Sequence, residues 1–189
     1  MNNNNTTLQK ILDEGLHLIQ KHGYNGFSYA NIAESIGIKK ASIHYYFPTK
    51  QELVQAVLQR YNKDFLNDLA QIDQKFKDPV DKLKSFFQLY RSALDNSSKL
   101  CLCTMMAAEI TSFPEEIRTD VNRFFHDNEK WIENVLLQKK SADSSVNPDR
   151  IADQSRLVLA IAQGAQLLGR SSGELEQYDS IVNHFLANL

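Results

Sequence analysis

The chain has few of the residues that would place it outside a reducing compartment or inside a membrane. Among its 189 residues are only two cysteines, Cys101 and Cys103. They are too few and too close together for a disulfide framework. No apolar run approaches the roughly 20 residues needed to span a bilayer. The opening stretch, MNNNNTT, lacks the basic-then-apolar pattern of a secretory signal and reads as a disordered tail over 1–6. These absences point to the cytoplasm. Charge of one sign is also lacking. The formal net charge is −2, so the whole molecule is not a polycation. Catalytic signatures are missing too: there is no Gly-x-Ser-x-Gly, His-Glu-x-x-His, phosphate loop or Cys-x-x-Cys. The five histidines are scattered without metal-ligand spacing. No cofactor and no metal are expected, and an enzyme is the least supported class.

Helical periodicity dominates, and no strand alternation stands out. Leu8, Ile11, Leu12, Leu16 and Ile19 form one apolar stripe with Gly15 on the same face, and Gly23 can end that helix. Thr49-Lys50-Gln51-Glu52 is a capping-box pattern that opens a long helix carrying Leu53 to Phe76. Three further starts pair a cap with proline or nearly so: Asp78-Pro79, Phe113-Pro114 and Asn147-Pro148. Leu100–Ile110 is almost unbroken apolar sequence, which predicts a central buried helix. Lys139–Val146 reads as a polar loop, and Ser171-Ser172-Gly173 as a turn before the last helix. The expectation is an all-α protein of nine helices in two domains, 1–50 and 51–189.

The most informative segment is 28–50, SYANIAESIGIKKASIHYYFPTK. Ser28 can cap a short helix whose Tyr29, Ile32, Ala33 and Ile36 share one face. Gly37 suits the left-handed position that ends it, because glycine has no Cβ to clash there. Lys39–Tyr46 then forms a second helix, basic and aromatic. This is the pattern of a helix-turn-helix, whose second helix enters the DNA major groove. Charge distribution agrees. Residues 1–60 carry six Lys/Arg against four Asp/Glu, while residues 61–189 carry fifteen against nineteen. A basic small end on an acidic body suits local DNA contact.

The ordered series Gly23, Phe27, Ile32, Ala33, Gly37, Ile38, Lys40, Ser42, Ile43, Tyr45, Tyr46, Phe47, Lys50, Leu53 resembles the TetR family of transcriptional regulators over about the first 55 residues. The resemblance implies a nine-helix homodimer with a variable carboxy-terminal ligand-binding domain, which releases its operator on binding a small-molecule inducer. Two positions depart from the pattern: Lys39 stands where a small capping Ser or Thr is usual, and His44 where Tyr is frequent. Further on, Leu100-Cys101-Leu102-Cys103, Ala107-Ala108-Glu109-Ile110 and Pro114-Glu115-Glu116-Ile117-Arg118 are similar to a TetR subgroup that often controls detoxification genes for aldehydes and other electrophiles.

Candidate DNA-binding residues are Ser28, Tyr29, Lys39, Lys40, Ser42, His44, Tyr45 and Lys50. Lysine can donate to guanine O6 or N7, and serine to base edges or phosphate. Lys50 opens a helix, where amides and dipole favour an anion such as phosphate. Two-fold symmetry would place two recognition helices in successive major grooves of a roughly palindromic double-stranded operator. Small residues Ala160, Gly164, Ala165 and Gly169, with Tyr178, Val182 and Phe185, suggest the last two helices as the dimer surface or as packing within one subunit.

Candidate ligand-binding residues are Tyr61, Phe65, Phe86, Tyr90, Cys103, Met106, Glu109, Phe125, Trp131 and Gln163, an apolar set with a few polar groups. Glu109 lies within an apolar helix, where a carboxylate needs a partner. Cys101 or Cys103 could be a reactive thiolate that an electrophile modifies, which requires a lowered pKa and access. Both could equally be buried small hydrophobes. The function expected is a ligand-controlled repressor. The alternative is a DNA-binding architectural or activating protein with no inducer.

Overall fold

The computed structural model describes residues 3–95, 99–140 and 148–189. Among them are nine α-helices, one 3₁₀ turn and no strand. The helices are α1 (Asn3–His22), α2 (Tyr29–Ile36), α3 (Lys40–Tyr46), α4 (Lys50–Lys75), α5 (Pro79–Asp95), α6 (Leu102–Ala108), α7 (Glu115–Lys140), α8 (Pro148–Ser172) and α9 (Leu175–Ala187), with the 3₁₀ turn at Ile110–Ser112 between α6 and α7. No helix among the described residues is long and apolar enough to cross a membrane.

Local chemistry sets most boundaries. Gly23 and Gly37 both adopt left-handed backbone, at φ 77° and 70°, and each ends a helix. At the start of α5 the Asp78 carboxylate accepts the amides of Val80 (2.9 Å) and Asp81 (3.0 Å), and Pro79 spends no needed donor. The Thr49 hydroxyl accepts the Glu52 amide at 3.2 Å and caps α4. One expectation fails at the amino terminus. Helix α1 begins at Asn3, inside the stretch read as a tail. Once a helix is nucleated, each added residue costs little and gains one hydrogen bond. Most of the polar loop expected over Lys139–Val146, and the cap Asn147, lie outside the described residues.

The chain forms two compact units that are not consecutive stretches. The first comprises Met1–Lys63 and Leu102–Val121, the second Asp64–Cys101 and Asn122–Leu189. In the first unit α1 packs on α2 and α6, and α2 on α3. Ile11, Ile19, Ile32, Ile43, Leu53 and Leu58 are fully buried. Gly15 permits α1 and α4 to approach closely, since a Cβ there would lie 3.3 Å from a Val57 methyl. In the second unit α5, α8 and α9 pack together. There the buried Tyr178 hydroxyl donates to the Phe87 carbonyl at 2.6 Å, and Arg91 grips Asp179 through two bonds of 2.7 and 2.8 Å. The expected buried helix after Leu100 is present but short: Leu100 to Thr104 and Met106 are all buried.

Candidate DNA-binding face and effector core

The recognition helix is fixed from beneath. Ile43 is fully buried, and Phe47 closes the helix with its amide on the Ile43 carbonyl. This turns Lys40, Ala41, His44 and Tyr45 outward together, with Lys39 just ahead of them. Tyr45 is 78% exposed, an unusual state for a large aromatic ring without a partner surface. Ser42 and Tyr45 also line a groove with Thr7, Ile38 and Tyr46. Lys39 occupies the cap position without a side-chain cap bond, because an ammonium has no acceptor to offer. His44 is exposed; its Nδ1 is 3.3 Å from the Pro48 carbonyl, and its ring meets the Tyr29 ring edge-on at 4.8 Å.

Ser28 is exposed at the head of α2, where the Asn31 side chain accepts both its amide and its hydroxyl at 2.8 Å. The cap is therefore made with Asn31 rather than by Ser28 alone.

Two candidates for DNA contact have partners within the chain. Tyr29 is buried, and its hydroxyl donates to the carbonyls of Phe47 (3.0 Å) and Thr49 (2.6 Å). Burial, with the charge of Glu52 as a lesser cause, pushes its pKa up to about 12. It staples α2 to the end of α3. Lys50 turns inward. Its ammonium donates to the carbonyls of Tyr24 and Phe27 and lies over both their rings, 4.5 and 4.1 Å from the centroids. Burial lowers its pKa, and the nearby Glu109 charge offsets this in part.

The ligand candidates divide between the units. In the first, Tyr61 is half-buried, while Cys103 and Met106 are fully buried. The Cys103 thiol lies 3.7 Å from the Asn62 amide oxygen. Glu109 has found the partner its charge requires, and that partner is protein backbone. Its carboxylate accepts the amides of Tyr24 (3.0 Å) and Asn25 (3.1 Å) and the Asn25 side-chain amide (2.5 Å). It is thus spent on the turn after α1 rather than left for a ligand.

In the second unit an aromatic core assembles. The Phe65 ring meets Tyr90 at 5.8 Å and Phe124 at 5.0 Å, and Phe86 stacks on Trp131 at 5.6 Å. Phe125 is half-buried against Phe124, and Gln163 is half-buried on α8. The Trp131 indole donates to Asp73 at 2.8 Å, and Asp73 pairs with the buried Lys82 at 2.7 Å.

Both cysteines are buried, Cys101 to 1% and Cys103 to 0% exposure. Neither offers the accessible thiolate an electrophile sensor needs. Sequence reasoning missed three polar groups on core faces. Asn128 is 1% exposed; its amide donates to the Phe124 carbonyl at 2.7 Å, and its Oδ1 has no donor among the described residues. Gln166, fully buried, accepts the Cys101 amide at 2.8 Å and donates to the Tyr90 carbonyl at 2.7 Å. Asp120 is buried and bonded to the Gln55 side-chain amide. The helical period was the available signal: 121, 124, 128, 132 and 135 repeat at core spacing on α7.

Of the small residues on α8, Ala165 and Gly169 point inward, Gly169 against Leu94 and Tyr178. Gly164 has nothing within 4 Å of where its Cβ would lie. On the same helix Leu157, Leu167 and Leu168 are about half exposed, so α8 carries an apolar stripe that the described residues leave uncovered.

Comparison with known proteins agrees with this geometry. Residues 11–57 match the model for bacterial regulatory proteins of the tetR family, and residues 79–184 match the model for the LmrA/YxaF-like transcriptional regulator carboxy-terminal domain. A TetR transcriptional regulator from Legionella pneumophila is 30% identical, with a TM-score of 0.88 over 100% of this chain and 98% of that one. A TetR-family regulator from Agrobacterium tumefaciens is 26% identical, with a TM-score of 0.91 over 99% of each. The biofilm operon icaADBC negative transcriptional regulator IcaR of Staphylococcus aureus is 28% identical over 113 residues, a match spanning 59% of this chain and 58% of IcaR.

Proposed function

Since the chain belongs to the TetR family of DNA-binding transcriptional regulators, which are not enzymes, we propose that it is a ligand-responsive repressor. In this reading a homodimer binds a roughly palindromic operator through α3 and releases it when a small molecule occupies the second unit. The observation that carries the DNA reading is the outward face of α3, where Lys40, His44 and Tyr45 are exposed over a buried Ile43. Lysine and histidine supply donors for base edges and phosphate, and the Tyr45 ring supplies apolar area for a thymine methyl. That IcaR is a negative regulator supports repression as the sign of control.

The uncovered stripe of Leu157, Gly164, Leu167 and Leu168 on α8 supports a second copy of the chain as partner. Glycine lets two backbones approach closely there, and the leucines supply apolar area. The aromatic core around Phe65, Phe86, Tyr90 and Trp131 supports an apolar inducer, and the buried Asn128 acceptor on α7 supports one that carries a hydrogen-bond donor. Burial of both cysteines favours reversible binding over covalent modification by an electrophile. The absence of a membrane-crossing helix among the described residues is consistent with action in the cytoplasm.

A thermal-shift screen of small aromatic compounds, followed by titration of each hit into the protein–operator complex, tests this reading. A hit that raises the melting temperature and releases DNA supports it. Operator binding that no stabilising ligand alters would favour a DNA-binding protein without an inducer.

A further inference from the structure

We propose that Glu109 and Lys50 are positioning residues for operator binding, because together they hold the turn that aims α2 and α3. The proposal rests on the operator reading above but concerns residues that do not face DNA. Residues 23–28 connect α1 to α2 and belong to no helix. Their backbone groups must find partners elsewhere or face water. Glu109, 84 and 85 positions away in sequence, accepts the amides of Asn25 and Tyr24 and the Asn25 side chain. Lys50 donates to the carbonyls of Tyr24 and Phe27. The Tyr24 residue is thus gripped at its amide by an anion and at its carbonyl by a cation.

The arrangement extends beyond these bonds. The Tyr24 ring packs on Phe113 at 4.8 Å, and the Lys50 ammonium covers the rings of Tyr24 and Phe27. Gly23 turns the chain through left-handed backbone, and a Cβ on it would collide with the Glu109 carboxylate. Glycine is therefore required for its φ, and a Cβ there would displace the carboxylate from these amides. Bonds to a charged group are roughly twice as strong as neutral ones. With them gone, an irregular segment next to the helix-turn-helix regains conformational freedom, and DNA must order it on binding. The end of α6 is in this sense part of the DNA-binding unit, as its grouping with Met1–Lys63 also indicates.

The test compares wild type with Glu109→Gln and Lys50→Met. Specific and non-specific DNA affinities are measured at several salt concentrations, and amide exchange at Tyr24 and Asn25 is followed without DNA. Glu109→Gln is expected to weaken operator binding about tenfold, the factor one charge-assisted hydrogen bond corresponds to. Non-specific affinity should be nearly kept. The Tyr24 and Asn25 amides should lose protection while those of α4 keep it. Lys50→Met should also weaken specific binding, with the salt slope unchanged. A slope reduced by about one would mark Lys50 as a direct phosphate contact and overturn its part. Wild-type binding with equal affinity and equal amide protection in Glu109→Gln would overturn the proposal. Wild type that binds no DNA sequence preferentially would instead fail the operator reading, and the exchange data would separate the two failures.

Discussion

The amide oxygen of Gln166 accepts the backbone N–H of Cys101 at 2.8 Å, in a site where both residues are essentially sealed from solvent. The same glutamine donates to the Tyr90 carbonyl, so one side chain satisfies two buried backbone groups. Replacing it with leucine would remove both bonds, while the Tyr90 carbonyl keeps its place in the α5 helix. Gln166→Leu should lower stability by roughly 1–3 kcal/mol in urea unfolding, while Gln163→Leu, half-buried three positions away, should cost less.

Thiol chemistry follows from the same burial. Native protein treated with excess N-ethylmaleimide should remain unmodified at Cys101 and Cys103 over the time in which the denatured chain is fully labelled. Operator affinity should be unaffected by small electrophiles and equal in the Cys101→Ser/Cys103→Ser variant. Rapid native labelling coupled to DNA release would restore the electrophile sensor.

Tyr29 sets an alkaline limit on the first unit. Its pKa is pushed up to about 12 in the folded protein, against about 10 for an unfolded tyrosine. Below pH about 10 both states hold the proton and its contribution is complete. As pH rises from about 10 to 12 the unfolded state ionises first and that contribution is lost. Tyr29→Phe should begin about 1–3 kcal/mol less stable, with the buried bond to the Phe47 carbonyl lost, and should lose less on going from pH 9 to 12. Parallel pH curves for the two proteins would contradict this.

Asn128 separates a structural role from a binding one. Its Oδ1 is a buried acceptor with no donor among the described residues, so replacement by a shape-similar apolar residue costs little. Asn128→Leu should melt within a few degrees of wild type or above it, yet lose the melting-temperature rise produced by any inducer that donates to this site. A variant that keeps its full ligand response would remove Asn128 from the site.

The extent to which the sequence was legible follows range of interaction. Gly23, Gly37, Thr49 and Asp78 act within four residues of their own position, and their roles were readable as local backbone chemistry. The periodicity that put Tyr29 on the face of Ile32 and Ala33 also held. That face is buried, and the same period that shows it also turns the Tyr29 side chain towards Phe47 and Thr49. The partners of Lys50 and Glu109 were not legible for a different reason. They lie 23 to 85 residues away, where no spacing rule reaches. Leu102–Val121 likewise packs with the amino-terminal residues, a pairing made by tertiary contact that the linear division at residue 50 does not contain. Asn128 and Gln166 sit on legible core faces, but their partners are buried backbone groups that periodicity does not reveal.

Fluorescence anisotropy on the DNA upstream of its own gene, against a scrambled duplex of equal length, tests the central claim most directly. Wild type and Lys40→Ala/Tyr45→Ala would each be titrated at two salt concentrations. The account predicts that wild type prefers the upstream DNA by at least about a hundredfold with two chains per site, and that the variant loses most of this preference while retaining its fold, as expected when base-edge contacts are removed. Equal affinity of wild type for both duplexes, or a preference untouched in the variant, would contradict it.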